Sequence, residues 1–94
     1  MNYQDKIALI TGASSGIGRV AALAFAKRGA TVVAVARREP LLQQLIEECR
    51  PHSPLSIYLC GDLGERDFAE GVVDKTVEQF GRIDFLINNA AISK

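Results

Sequence analysis

The segment Thr11-Gly12-Ala13-Ser14-Ser15-Gly16-Ile17-Gly18 combines three glycines with two hydroxyl side chains. Glycine at position 12 lets the chain turn sharply off a strand. Glycines at 16 and 18 remove side chains that would keep a phosphate from the backbone and a helix from a sheet. The free amide hydrogens of a helix start then face an anion, aided by a helix dipole worth about 0.3–1 kcal/mol at an exposed site. Ser14 and Ser15 add hydroxyl donors. The chemistry is anion binding, and a pyrophosphate is the natural occupant. The spacing is Gly-x-x-x-Gly-x-Gly, not the commoner Gly-x-Gly-x-x-Gly, so the loop's meaning depends on the elements that flank it.

On its N-terminal side lies Ile7-Ala8-Leu9-Ile10, a short apolar run suited to a strand buried on both faces of a parallel sheet. On its C-terminal side a helix is expected, in which Ile17, Val20, Ala21, Ala24 and Phe25 recur at helical spacing. Ala22, Leu23 and Ala26 thicken that stripe, which is expected to press on the sheet. Lys27 and Arg28 occupy its last turn, and Gly29 is placed to stop it. Thr31 to Ala36 reads as a second strand. Glu39-Pro40 opens a second helix with Leu42, Leu45, Ile46 and Cys49 on one face, broken by Pro51 through Pro54. Ser56 to Cys60 is a third strand. A third helix carries Ala69, Val72, Val73, Thr76, Val77 and Phe80, with Gly81 ending it, and Ile83 to Ile87 is a fourth strand. The alternation predicts an α/β fold, a Rossmann-like doubly wound parallel sheet truncated after its fourth strand. No linker or repeat divides residues 1–94, which are expected to form one dinucleotide-binding domain.

Composition agrees with an ordinary globular chain, at 48% hydrophobic and 23% charged residues. Eleven basic and eleven acidic residues cancel to zero net charge, which excludes a diffuse electrostatic pull on nucleic acid or anionic membrane. No stretch approaches the roughly 20 apolar residues of a membrane span, and the first apolar run is too short for a signal peptide. Cys49 and Cys60 read as small buried hydrophobes in a reducing compartment. The expected location is cytoplasmic.

The glycine loop resembles the cofactor loop of the short-chain dehydrogenase/reductase family. Asn88-Asn89-Ala90-Ala91 resembles that family's Asn-Asn-Ala-Gly signature, and Gly61-Asp62-Leu63 its adenine-contacting Asp after strand three. The resemblance spans essentially the whole chain. It implies that Gly12, Ser14, Ser15, Gly16, Ile17 and Gly18 hold the pyrophosphate and adjacent ribose. It implies too that the Asp62 carboxylate accepts a hydrogen bond from the adenine amino group, with Leu63 beside the ring. Asn89 and Ala90 would line the nicotinamide-side ribose, while Asn88 would tie strand four to its neighbours. Ala91 departs from the usual glycine, a change of one methyl group.

An acidic residue about 20 positions past the glycine loop would bind ribose hydroxyls and select NAD. Here that place falls on Ala36, followed by Arg37 and Arg38. No carboxylate is there to repel a 2′-phosphate, and Arg37 offers a planar fork of donors suited to one. A hydrogen bond to a charged group contributes roughly 1.5–3 kcal/mol, about ten- to a hundredfold in preference. The expected cofactor is NADP(H), with NAD(H) the alternative.

Family members transfer hydride between nicotinamide and a carbonyl or alcohol, using a tyrosine whose pKa is lowered by a lysine four residues later. The help is needed because an unperturbed tyrosine titrates near about pH 10. Tyr3 is followed four residues later by Ile7 and Tyr58 by Asp62, so the chain holds no Tyr-x-x-x-Lys. Tyr58 reads as a sheet-facing ring and His52 as a solvated loop residue. Ser93 and Lys94 lie too close behind Asn88 to serve as the family's serine and lysine. No catalytic residue is assigned and no metal ligand set is found. The chain is therefore expected to be inactive alone, the cofactor-binding portion of an oxidoreductase. Two alternatives stand: a non-enzymatic nucleotide-binding module or pseudo-enzyme, and a half that must pair with another chain. Strand four would be an open edge, making the domain marginal or association-prone. The resemblance also implies dimers or tetramers formed through later helices.

Overall fold

In the computed structural model, which describes residues 2–89, the apolar runs become four parallel strands linked by three helices. They succeed one another as β1 (Ile7–Thr11), α1 (Gly16–Lys27), β2 (Thr31–Ala36), α2 (Glu39–Cys49), β3 (Ile57–Cys60), α3 (Arg66–Phe80) and β4 (Phe85–Asn88). The sheet order is β3-β2-β1-β4, with Leu9 of β1 opposite Val33 of β2 and Leu86 of β4. The chain therefore steps outward from β1 to β3, then crosses back to the far side of β1. The helix that follows β1 and the helix that precedes β4 lie on opposite faces of the sheet, and a crevice opens where the strand order reverses, at the C-terminal ends of the strands.

Strand composition explains the layering. Every residue of β1 is buried, because both of its faces are covered. Ala8 and Ile10 join Val32 and Ala34 under α1 and α2, while Ile7 and Leu9 join Val33 and Val35 under α3. The α2 stripe is the expected one, with Leu42, Leu45, Ile46 and Cys49 fully buried. Gly29 and Gly81 both adopt positive φ just past the helices they are expected to stop.

The α1 stripe is different. Ile17 and Val20 are 75% and 68% exposed, and the buried line runs through Gly18, Ala22 and Ala26 instead. The cause is steric. A Cβ on Gly18 would lie 2.2 Å from the Gly12 carbonyl oxygen and 2.8 Å from its carbon. Only the glycine–alanine edge of the helix can approach this closely, so it faces inward and the bulkier stripe turns out.

On the other face α3 buries Val72 and Thr76, the latter donating its hydroxyl to the Val72 carbonyl at 2.7 Å. Val73 and Val77, expected on the packed stripe, are nearly half exposed, since no described element lies alongside α3 to cover them. β3 begins one residue later than expected. Ser56 turns inward and its Oγ accepts the Val32 amide at 2.9 Å. β4 begins two residues late because Asp84 takes the first rung. Its Oδ2 accepts the Ile7 amide at 2.8 Å, and its own amide donates to the Ile7 carbonyl at 2.9 Å. Arg82 binds Oδ1 of the same carboxylate. Hydrogen bonding by Arg82 first, and by the Ile7 amide second, holds the Asp84 carboxyl below its ordinary range.

Cys49 is buried as expected, and desolvation pushes its thiol up to about 11, leaving it an inert packing group. Cys60 is exposed, contrary to expectation, because it ends an edge strand at the crevice, where its Sγ donates to the Arg37 carbonyl at 3.4 Å. Both cysteines are free thiols. Among the described residues no helix is long and apolar enough to cross a membrane.

Candidate functional site

A cleft of about 810 Å³ opens at the C-terminal ends of the strands, where the chain reverses its direction across the sheet. Each strand end supplies part of its wall. The β1–α1 loop contributes Gly12, Ser14, Ser15, Gly16 and Ile17. The end of β2 contributes Ala36, Arg37 and Arg38, and the turn after β3 contributes Asp62 and Leu63. Asn89 comes directly after β4. These elements share one end of the sheet because parallel strands all point the same way.

The close approach of Gly18 to Gly12 sets the floor of the loop. Gly18 is buried beneath the cleft rather than lining it, and the Asn89 Nδ2 lies 3.0 Å from where a Gly18 Cβ would be. Gly12 turns with φ of 65°, a conformation a side chain would resist. Ser15 caps α1 in extended conformation without a side-chain hydrogen bond. The Arg19 amide donates to the Ser15 carbonyl, whereas the amides of Gly16, Ile17 and Gly18 meet no acceptor among the described residues. Gly16 and Ile17 line the cleft, so their free amides and the positive end of a helix dipole stand at it, with the Gly18 amide in the turn beneath.

The cleft's charges are separate. Arg37 and Arg38 are exposed, and among the described residues neither guanidinium forms an ion pair. Asp62 uses Oδ1 to accept the Gly64 amide at 2.8 Å, which shapes the turn and leaves Oδ2 without a partner among the described residues. With two cations and one carboxylate on its walls, the cleft is net positive and suits an anionic ligand.

The sequence-predicted residues Gly12, Ser14, Ser15, Gly16, Ile17, Arg37, Arg38, Asp62, Leu63 and Asn89 thus meet in one cleft. Ala90 and Ala91 lie outside the described residues. Sequence reasoning missed Leu41, which lines the cleft, and Thr11, which holds it together. The Thr11 hydroxyl donates to Asn88 Oδ1 at 2.9 Å and accepts the Asn89 amide at 3.0 Å, so it ties β1 to β4 at the crevice. Asn88 makes the inter-strand tie expected of it. A signal for Leu41 existed: it is apolar yet falls off the buried stripe of α2. Thr11 gave no such sign, because a threonine ending a strand is common. Neither tyrosine reaches the cleft. Tyr3 packs on Phe25 and Phe85 with ring centroids 5.7 and 5.0 Å away, and the Tyr58 hydroxyl donates to Glu39. His52 is exposed in its loop, as expected.

The family model of the short chain dehydrogenases matches residues 6–94. The chain belongs to the short-chain dehydrogenase family. Among curated relatives, an uncharacterized oxidoreductase of Thermotoga maritima is 45% identical over 98% of this chain, which spans 36% of that protein. An 11-beta-hydroxysteroid dehydrogenase A of Sesamum indicum is 47% identical over 93% of the chain, here only 25% of the relative's length. The chain thus spans between a quarter and about a third of these relatives. Among solved structures, L-sorbose reductase from Gluconobacter frateurii, complexed with NADPH and L-sorbose, superposes with a TM-score of 0.88 at 34% identity. That match covers 100% of this chain and 36% of the reductase. The apo-form glucose dehydrogenase of Caenorhabditis elegans gives the same TM-score at 29% identity, covering 99% of the chain and 40% of that enzyme. This short-chain dehydrogenase chain therefore has the Rossmann-like architecture of its relatives, with the cleft at the reversal point of its sheet.

Proposed function

We propose that the cleft holds NADP(H), and that residues 1–94 are the cofactor-binding unit of an oxidoreductase. The complete protein passes hydride between nicotinamide and a carbonyl or alcohol substrate. The observation that carries this reading is an open helix N-terminus and two arginines that form no ion pair among the described residues, in one cleft, with Ala36 where a ribose-binding carboxylate would stand. The residues present fit a dinucleotide. The inward glycine edge leaves room for a pyrophosphate against the amides of Gly16 to Gly18, with Ser14 and Ser15 as further donors. Arg37 takes the 2′-phosphate through its planar fork and Arg38 adds charge beside it. Asp62 Oδ2 and Leu63 meet the adenine, and Asn89 meets the distal ribose. When bound, the nicotinamide supplies or accepts the hydride. The NADPH complex of the sorbose reductase supports the choice of cofactor. The two free thiols agree with work in the cytoplasm.

Calorimetric titration with NADPH and with NADH tests the reading. Wild type is expected to prefer NADPH, and Arg37→Ala to cut that preference by about ten- to a hundredfold, the span of a hydrogen bond to a charged group. A preference unchanged in Arg37→Ala would refute the assignment of NADP(H).

A further inference from the structure

Glu39 comes directly after the two cleft arginines in sequence, and its neighbours Arg38 and Leu41 both line the cleft. Glu39 does not. Its Oε2 accepts the Tyr58 hydroxyl at 3.0 Å, and Gln43, one helical turn along α2, donates its Nε2 to the Tyr58 oxygen at 3.3 Å. A tyrosine hydroxyl has one proton. With its oxygen accepting from Gln43, that proton is directed to Glu39. The three residues form a short relay on the outer face of α2 and β3, and its end point is the carboxylate nearest in sequence to Arg37 and Arg38.

We infer that Tyr58 is a positioning residue that sets cofactor preference by holding the Glu39 carboxylate out of the cleft. The inference rests on the NADP(H) reading. Charge decides its sign. Two arginines and Asp62 leave the cleft one positive charge in excess, and a second carboxylate would cancel it. A released Glu39 would pair with the same guanidinium forks that a 2′-phosphate needs, and it would repel that phosphate within the Debye length of about 8 Å at physiological salt. NADH carries no 2′-phosphate, so its binding has little to lose. Tyr58 is suited to the task. Its ring is half-buried against the core beneath α2, which fixes where the hydroxyl points.

The test is calorimetric titration of the full chain with NADPH and with NADH, for Tyr58→Phe, Glu39→Gln and the double variant. Tyr58→Phe is expected to weaken NADPH by about three- to tenfold, the span of an ordinary hydrogen bond, with little change for NADH. Adding Glu39→Gln to Tyr58→Phe restores the preference, since an amide neither repels phosphate nor competes for arginine. Glu39→Gln alone changes it little, because the carboxylate is already held away. A relay that only fastens α2 to β3 would weaken both cofactors alike in Tyr58→Phe, and that result overturns the inference. Failure of the double variant to recover overturns it too. So does a large gain in NADPH preference from Glu39→Gln alone, which stands as the test if Tyr58→Phe does not fold. An Arg37→Ala variant keeping its preference would instead overturn the NADP(H) reading beneath.

Discussion

Replacing Gly18 with alanine adds one methyl group where α1 meets the loop that precedes it. The new carbon would lie 2.2 Å from the Gly12 carbonyl oxygen and 2.8 Å from its carbon. Carbon–oxygen contacts settle at about 3.3–3.6 Å, so helix and loop must part by about 1 Å. Two effects oppose each other. Alanine is the better helix former by about 0.8–1 kcal/mol, whereas overpacking costs about 1–3 kcal/mol. The atoms in the way are backbone, which cannot swing aside as a side chain tip can, so the cost sits at the upper end. We expect a net loss of about 1–2 kcal/mol, or about 5–15 °C in Tm for a domain of this size. The displaced loop also spoils the row of amides at the cleft, and NADPH affinity falls at least about tenfold, the factor that 1.4 kcal/mol represents. Gly71 is the control. It lies within α3, and a Cβ there meets nothing within 4 Å. Gly71→Ala should raise stability by about 0.5–1 kcal/mol with unchanged NADPH binding. Melts monitored by circular dichroism, with NADPH titrations, read both variants. A Gly18→Ala protein that melts and binds like wild type would refute the close approach that orients α1.

Three further outcomes are expected. The Asp84 carboxyl is held below its ordinary range, so its contribution is full above the unfolded-state pKa of about 3.9 and is lost as pH falls through the lower folded value. Urea midpoints measured from pH 6 downward should therefore show a steeper acid loss for wild type than for Asp84→Asn, and equal slopes would refute it. Ser56→Ala leaves the buried Val32 amide without its acceptor and removes the 2.7 Å contact with the Ser53 hydroxyl. It should cost about 1–3 kcal/mol in denaturant unfolding, and a loss below about 0.5 kcal/mol would contradict the bond's importance. Leu86 is 61% exposed on β4, the last strand of the sheet among the described residues, and in the 94-residue chain Leu86→Glu should shift any concentration-dependent association seen by size-exclusion chromatography toward monomer, because a charge on an exposed strand opposes pairing.

Most of the fold could be read from residue types. Continuous apolar runs marked strands covered on two faces, and Leu42, Leu45, Ile46 and Cys49 marked the inward side of α2 because only one stripe of that helix is apolar. The glycine loop, Arg37 and Asp62 were legible as well, since turn chemistry and charge are local properties. The α1 stripe was not legible. That helix is apolar nearly all round, so periodicity offers several faces and cannot rank them.

Sequence by itself determined the alternation of elements, the end of the sheet where the loops gather, and the sign of the charge they present. Tertiary structure decided what depends on distance between segments far apart in the chain. The close approach of Gly18 to Gly12 turned Ile17 and Val20 outward. The edge position of β3 exposed Cys60, and the side-by-side placement of β1 and β4 made Thr11 a tie. Tyr58 and Glu39 are 19 residues apart, and only the packing of α2 on β3 brings hydroxyl to carboxylate. Composition and spacing record which residues seek burial or charge, while the few ångströms that choose among equivalent faces and partners are settled when the segments meet.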